Sequence, residues 1–356
     1  MHMADALVSP AVAVTMYAAS AAAAGVSLVQ LHKEEAAAPE LAKKKLPTMA
    51  VMSALVFAGQ MINYTIPGTG SSGHLCGGML LSAILGPWAG FLSMIVILAI
   101  QALFFADGGL LALGANVWNM AFYGCFVGYF LIYRPLMQGK LLSGKGRTKL
   151  VLASVLGCVV TLQLGAFSVV VETSLSGITA LPFGAFAALM QPIHLAIGLV
   201  EGGITAAVLL FVYQTRPELL QCASAGAKNR CSRRAALAIL AAAALVIGGG
   251  LSLLASSNPD GLEWSLFGNE EAGYSANMGL DEEAYGAESA AAEKAAAVQE
   301  KTSLLPDYSF AGSDSAAGTS VSGLVGCALV AALAACISLA GRAARKKSGK
   351  KQASAG

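Results

Sequence analysis

Charge is scarce in this chain. Only 12% of its 356 residues are Asp, Glu, Lys or Arg, about half the share found in a soluble domain, so a water-soluble enzyme is excluded first. Histidine is scarcer: His2, His32, His74 and His194 are all there are. None of the seven cysteines (Cys76, Cys125, Cys158, Cys222, Cys231, Cys327, Cys336) forms a CxxC pair, which removes zinc-ribbon and dithiol redox motifs; most lie in apolar runs and read as small hydrophobes. No soluble face gathers basic and aromatic residues, so nucleic-acid binding is excluded too. The start also lacks the basic n-region of a secretory signal, and the stretch 6–31 is too long for an h-region, so it is expected to persist as a first helix.

Apolar residues are abundant: 56% of the chain, with mean hydropathy +0.67 and 40 glycines that suit close packing of membrane helices. Apolar runs occur near 6–31, 48–66, 76–105, 110–133, 149–171, 186–213, 235–255 and 321–340. Basic residues cluster at Lys43–Lys45, Arg134–Lys149, Arg216–Arg234 and Arg342–Lys351, and such clusters stay on the cytoplasmic side. Eight crossings from an outside N-terminus would put the Arg134–Lys149 loop outside, although it holds five basic residues and no acid. One run must therefore contain two segments, and 76–105 is interrupted by Gly86-Pro87.

With that split, the spacing predicts an all-α polytopic membrane protein. A core of seven helices spans 1–213, a basic cytoplasmic linker 214–234, a two-helix module with an acidic outer loop 235–340, and a basic cytoplasmic tail 341–356. The N-terminus is expected outside and the C-terminus inside. The loops 65–75, 106–109, 172–185 and 256–320 then face outward, and 268–303 is expected to be poorly ordered or marginally helical.

This topology puts His2 and His74 on the outer side. The Met1 amine, the His2 amide nitrogen and a His2 ring nitrogen can close fused five- and six-membered chelate rings on one metal ion, and His74 completes a planar set of four nitrogens. Such a set suits nickel(II) or copper(II) and disfavours zinc, magnesium and calcium; copper(II) is normally little available to such a system. His74 lies in a glycine-rich loop, Pro67 to Gly78, able to fold inward and present the ring to the N-terminus, with Ser71 and Ser72 as supporting hydrogen-bond groups. His194 and Glu201 are seven apart on one helix, with Thr205 four further on, and Asn116 and Asn119 are three apart; all four polar residues His194, Glu201, Asn116 and Asn119 are candidates for supporting the site or for helix packing. Asp107 is expected to turn the outer loop, and His32 has no role.

Several of these segments together resemble a known family. The opening Met1-His2, Ser72-Gly-His-Leu-Cys-Gly-Gly, Gly86-Pro-Trp, Asp107-Gly-Gly, Gly114-Ala-Asn-Val-Trp-Asn-Met-Ala, and His194 through Glu201-Gly-Gly-Ile-Thr205 look like the CbiM/NikM substrate-binding components of nickel and cobalt energy-coupling-factor transporters, over roughly residues 1–213. Asn258-Pro-Asp-Gly-Leu-Glu-Trp264 resembles the PDGLE module of the NikN/CbiN type. The resemblance implies a seven-helix binding component in the bacterial cytoplasmic membrane, with the metal on the Met1 amine, His2 and His74. The ion is cargo: nickel(II), or cobalt(II) for cobalamin synthesis, with no resident cofactor. It also implies a transmembrane coupling protein (CbiQ/NikQ type) and ATPase subunits (CbiO/NikO type) that hydrolyse ATP, so the chain itself is no enzyme.

Two other patterns are present in the chain. Gly139–Gly146 approaches a phosphate-binding loop but lacks the final Ser or Thr and follows a membrane helix. Gly70-Ser-Ser-Gly73 with His194 on a later helix matches a rhomboid-like intramembrane protease using Ser72 as nucleophile and His194 as base, but leaves Met1-His2 and the PDGLE segment unexplained. A passive channel or sensor would need no partner.

Overall fold

The computed structural model describes residues 1–139, 145–179, 181–222, 229–275, 289–310, 312 and 315–353. Seven helical segments make up the first part: α1 (Pro10–Ala37), α2 (Pro39–Gln60), α3 (Gly78–Leu85), α4 (Pro87–Phe104), α5 (Leu113–Gln138, wound with π pitch over Val117–Tyr133), α6 (Gly146–Ser176) and α7 (Phe183–Thr215). After the linker come α8 (Arg233–Gly249), α9 (Gly261–Phe267), α10 (Ala290–Thr302) and α11 (Ala316–Ala353). The fold is all-α and polytopic, as the apolar runs predict.

Among the described residues, six helices are long and apolar enough to cross a membrane: α1, α4, α5, α6, α7 and the Ala316–Ile337 part of α11. The other expected crossings fall short for visible reasons. The second helix starts nine residues before its apolar run, taking in Glu40 and Lys43–Lys45. The first module helix has 17 residues and begins with Arg233-Arg234. With eight residues, α3 reaches only about 12 Å at 1.5 Å per residue.

The short α3 exists because of Gly86. Its φ of +85° is open to glycine and disfavoured for other residues, and Pro87 follows at the first position of α4, where its missing N–H costs nothing. The chain reverses there into a tight hairpin, with Gly90 of α4 against the backbone of Ser82 in α3. The linker closes this end: Gln221 N–H donates to the Ala83 carbonyl (2.8 Å) and its side-chain amide to that of Ile84 (3.1 Å).

At the other end of α3, the loop from α2 carries a small hairpin that the apolar pattern gives no sign of, Tyr64–Ile66 (β1) against Ser71–Gly73 (β2). Packing between α6 and α7 is the most extensive helix pairing, and Gly198 and Gly202 let Val159 and Val155 of α6 lie on the α7 backbone. The two long module helices pack on α2. Within 268–303, α10 is the helix and Gly268–Asn269 pairs with Tyr274–Ser275 in a short hairpin; 276–288 lie outside the described residues, as do 140–144 of the phosphate-loop-like stretch.

Candidate metal centre

The N-terminal residues run across the loop that precedes α5. Met3 N–H donates to Asn116 Oδ1 (2.7 Å), Asn116 Nδ2 donates to the Met3 carbonyl (3.2 Å), and Gly109 N–H reaches the same carbonyl (2.9 Å). Asn116 thus acts on Met3 as a neighbouring strand would. Asp5 accepts from Ala112 N–H (2.9 Å). A methyl group at Gly109 would sit 1.8 Å from Asp5 Oδ1, so the Gly108-Gly109 pair is what lets the segment pass. Asn119 donates to Glu172 Oε2 (2.7 Å) and lies 3.6 Å from the Met3 sulfur.

This anchoring sets His2 on His74. The two rings stack with centroids 5.1 Å apart and 20° between planes. His74 is held by its loop: Glu201 of α7 accepts from Cys76 N–H (2.8 Å) and Gly77 N–H (2.9 Å), the two donors just before α3. Glu201 therefore fixes the backbone that carries His74 and does not touch the ring.

Around His2 and Met1 stand two carboxylates. Asp107 Oδ1 lies 3.2 Å from His2 Nδ1, and Asp260 Oδ2 lies 3.1 Å from the Met1 amine. The expectation that Asp107 merely turns its loop is incomplete: it engages His2 on one oxygen and accepts from Tyr308 Oη on the other (2.5 Å). Asp260 belongs to the PDGLE turn and N-caps α9, accepting from Leu262 and Glu263 N–H while Glu263 reaches back to its own N–H. Burial alone would raise Asp260, but the Met1 ammonium and His74 hold it below the usual carboxylate range. Burial lowers His2 and carries His74 down to about 4, aided by the Met1 ammonium, so both imidazoles are neutral at pH 7.

The PDGLE turn lies directly on the glycine-rich loop. Ser72 N–H donates to the Pro259 carbonyl (2.8 Å), Ser72 Oγ to that of Asn258 (2.8 Å), and Asn269 Nδ2 to that of Gly70 (2.8 Å). Ser72 thus ties the loop to the turn, and Ser71 Oγ turns to the Ser72 carbonyl (3.2 Å). Neither serine reaches a histidine. His194 Nδ1 bonds the Met190 carbonyl one helical turn back (2.8 Å), so no Ser72–His194 nucleophile–base pair forms.

Three ring nitrogens remain. His2 Nε2, His74 Nε2 and His194 Nε2 are all buried without a hydrogen-bond partner. A small cavity with room for a water-sized occupant is lined by Met1, His74, Cys76, His194 and Asp260. No cluster of three His, Cys, Asp or Glu side chains with metal-binding geometry occurs among the described residues. The backbone amine and amide would have to supply the missing donors. Asp260 and Tyr308 were missed by sequence reading, since each lies some 200 residues or more from its partner; the only signal was the PDGLE segment itself.

Comparison with known proteins bears on the family and the fold. Residues 2–219 match the family model described as the cobalt uptake substrate-specific transmembrane region, and residues 234–343 match the PDGLE domain. A putative fused nickel transport protein NikMN of Archaeoglobus fulgidus is 33% identical, over 94% of this chain and 96% of its own. A cobalt transport protein CbiM of Sorangium cellulosum is 35% identical over 49% of this chain and 76% of its own. The crystal structure of a truncated transition metal transporter superposes with a TM-score of 0.50 at 34% identity, covering 60% of this chain and 98% of that one.

Proposed function

Because this chain belongs to the cobalt uptake substrate-specific transmembrane family and carries a PDGLE domain behind that region, we propose that it captures nickel(II) outside the cell and serves as the substrate-binding component of an ATP-driven importer. The metal is bound by the Met1 amine, the His2 amide and ring nitrogens, and His74. The observation that carries this reading is the convergence on one corner of the Met1 amine, His2 and His74, with the His74 Nε2 buried there and unpartnered. A buried polar atom without a partner costs about 1–3 kcal/mol, and a metal ion would remove that cost.

Asp260 and Asp107 each engage a nitrogen that the chelate needs. Capture is therefore an exchange, in which the cation replaces two carboxylate contacts. A planar nitrogen set favours nickel(II); cobalt(II) is the second substrate, as relatives named for each metal suggest. The N-terminus faces outward and the basic tail faces the cytoplasm. Reorientation is driven by a coupling protein of the CbiQ/NikQ type with CbiO/NikO-type ATPases.

The test is metal titration of the purified chain with nickel and cobalt, alongside His2→Ala, His74→Ala and a variant with one residue inserted between Met1 and His2. One equivalent of nickel in the wild type, lost in all three variants, is the expected result. Wild-type binding by the inserted variant would remove the chelate, because the fused rings depend on that adjacency.

A further inference from the structure

The stretch that follows α10 is docked on the end of α4, beside Asp107. Leu305 N–H donates to the Phe104 carbonyl (3.2 Å) and Asp307 N–H to that of Phe105 (2.8 Å). From α10, Gln299 Nε2 donates to the Ala102 and Gly108 carbonyls (2.9 and 2.8 Å), one on either side of Asp107 in the chain. Asp307 and Tyr308 take left-handed backbone conformations, with φ of +48° and +56°, which are disfavoured for residues other than glycine. The Tyr308 ring is stacked on Phe105, with centroids 4.8 Å apart and 16° between planes.

This docking delivers one hydroxyl to one carboxylate. Gln101 Nε2 donates to Tyr308 Oη (3.2 Å), so the hydroxyl's own proton is directed to Asp107 Oδ2 (2.5 Å). The other oxygen, Asp107 Oδ1, lies 3.2 Å from His2 Nδ1. A six-membered chelate ring that runs from the His2 amide nitrogen through Cα, Cβ and Cγ closes only on Nδ1. Asp107 therefore stands on the very atom that the metal must take, and has to release it.

We propose that Tyr308 is a positioning residue for metal capture: its hydroxyl holds Asp107 within reach of His2 in the metal-free chain and remains the carboxylate's partner once the metal has taken Nδ1. This rests on the capture site proposed above and adds to it a residue of the PDGLE domain. Among the described residues, His2 and Tyr308 are the two side chains that engage the Asp107 carboxylate. A carboxylate that keeps one donor gives up the other at lower cost than one left bare. Without the hydroxyl, Asp107 has to hold His2 or stand unpaired, so the exchange moves toward the metal-free state.

The experiment titrates the full chain with nickel(II) in wild type, Tyr308→Phe, Asp107→Asn and the double variant. Phenylalanine keeps the ring on Phe105 and removes only the hydroxyl. Nickel affinity is expected to fall about 10-fold in Tyr308→Phe. In the Asp107→Asn background the same substitution is expected to change it by no more than about 2-fold, because the hydroxyl acts through the carboxylate. Nitrogen-15 resonances of histidine-labelled, metal-free protein give a second readout. Tyr308→Phe is expected to shift the His2 Nδ1 signal, which a hydroxyl that merely docks the segment would leave in place. Wild-type affinity in Tyr308→Phe, an equal fall in the Asp107→Asn background, or an unmoved His2 signal overturns the proposal; with nickel still bound by the wild type, this inference alone is lost. If the wild type binds no nickel, the capture site fails and this role fails with it.

Discussion

Asp260 meets the Met1 amine at 3.1 Å across 259 residues of sequence. The contact joins the first residue of the chain to the turn that opens α9, and their side chains are only 5% and 15% exposed. Removing one partner of a buried ion pair costs about 3–5 kcal/mol. Asp260→Asn, which can still cap α9, is therefore expected to lower the melting temperature of the metal-free protein. It should also loosen the PDGLE turn, read as greater quencher access to Trp264. An unchanged Trp264 environment would mean that the Ser72 and Asn269 bonds hold the turn by themselves.

Acid sensitivity follows from the same groups. Asp260 is held below the usual carboxylate range, so its stabilisation is complete above the unfolded value and is lost only as pH falls through the lower folded one. His2 and His74 act earlier: their folded values lie below 6.5, that of His74 near 4, so the unfolded chain takes up protons first as pH drops. Stability is expected to fall from pH 6.5 toward 4 by about 1.4 kcal/mol per unit for His74, then to level off for that residue. Nickel affinity should show no inflection at 6.5 from either imidazole; its pH dependence belongs to the amine and amide protons that the metal displaces. Unfolding and titration across that range check both statements.

Asn116 is expected to matter for capture without touching the metal. Asn116→Ala leaves the Met3 N–H without its partner (2.7 Å), at a cost of about 1–3 kcal/mol. With the N-terminus unclamped, nickel affinity is expected to fall about 10–100-fold with helicity retained. Equal affinity in this variant would show that the Gly109 and Asp5 contacts suffice.

Gly109→Ala tests the passage of the N-terminal segment. The added methyl would lie 1.8 Å from Asp5 Oδ1 and 2.5 Å from Asp5 N, both in the segment itself, so the segment must leave its channel. Metal capture is expected to be lost while the helices remain, measured by nickel stoichiometry and circular dichroism. Full stoichiometry would count against the packing described.

Ser72→Ala is expected to behave differently. Its hydroxyl serves the Asn258 and Pro259 carbonyls, so nickel binding should be retained with a stability loss of about 0.5–1.5 kcal/mol. Loss of a proteolytic activity in this variant would instead revive the serine nucleophile.

Much of this architecture was legible before any coordinates. Hydropathy marks the long helices because each must present apolar side chains to lipid over its whole length. Gly86-Pro87 announces the α3–α4 break because those two residues restrict the backbone locally. Met1-His2 and His74 could be singled out because chelate-ring size depends on covalent adjacency and donor type, both written in the chain. Tertiary structure alone decided which acid meets which nitrogen, Asp260 on Met1 and Asp107 on His2, and that the Tyr308 hydroxyl donates to Asp107. It also decided that Glu201 serves the loop backbone, that Ser72 serves the PDGLE turn, and that His194 Nε2 stands free in the same cavity as His74. Those pairings depend on distances between segments up to 259 residues apart, set by helix packing and loop docking, and no local pattern of residues encodes them.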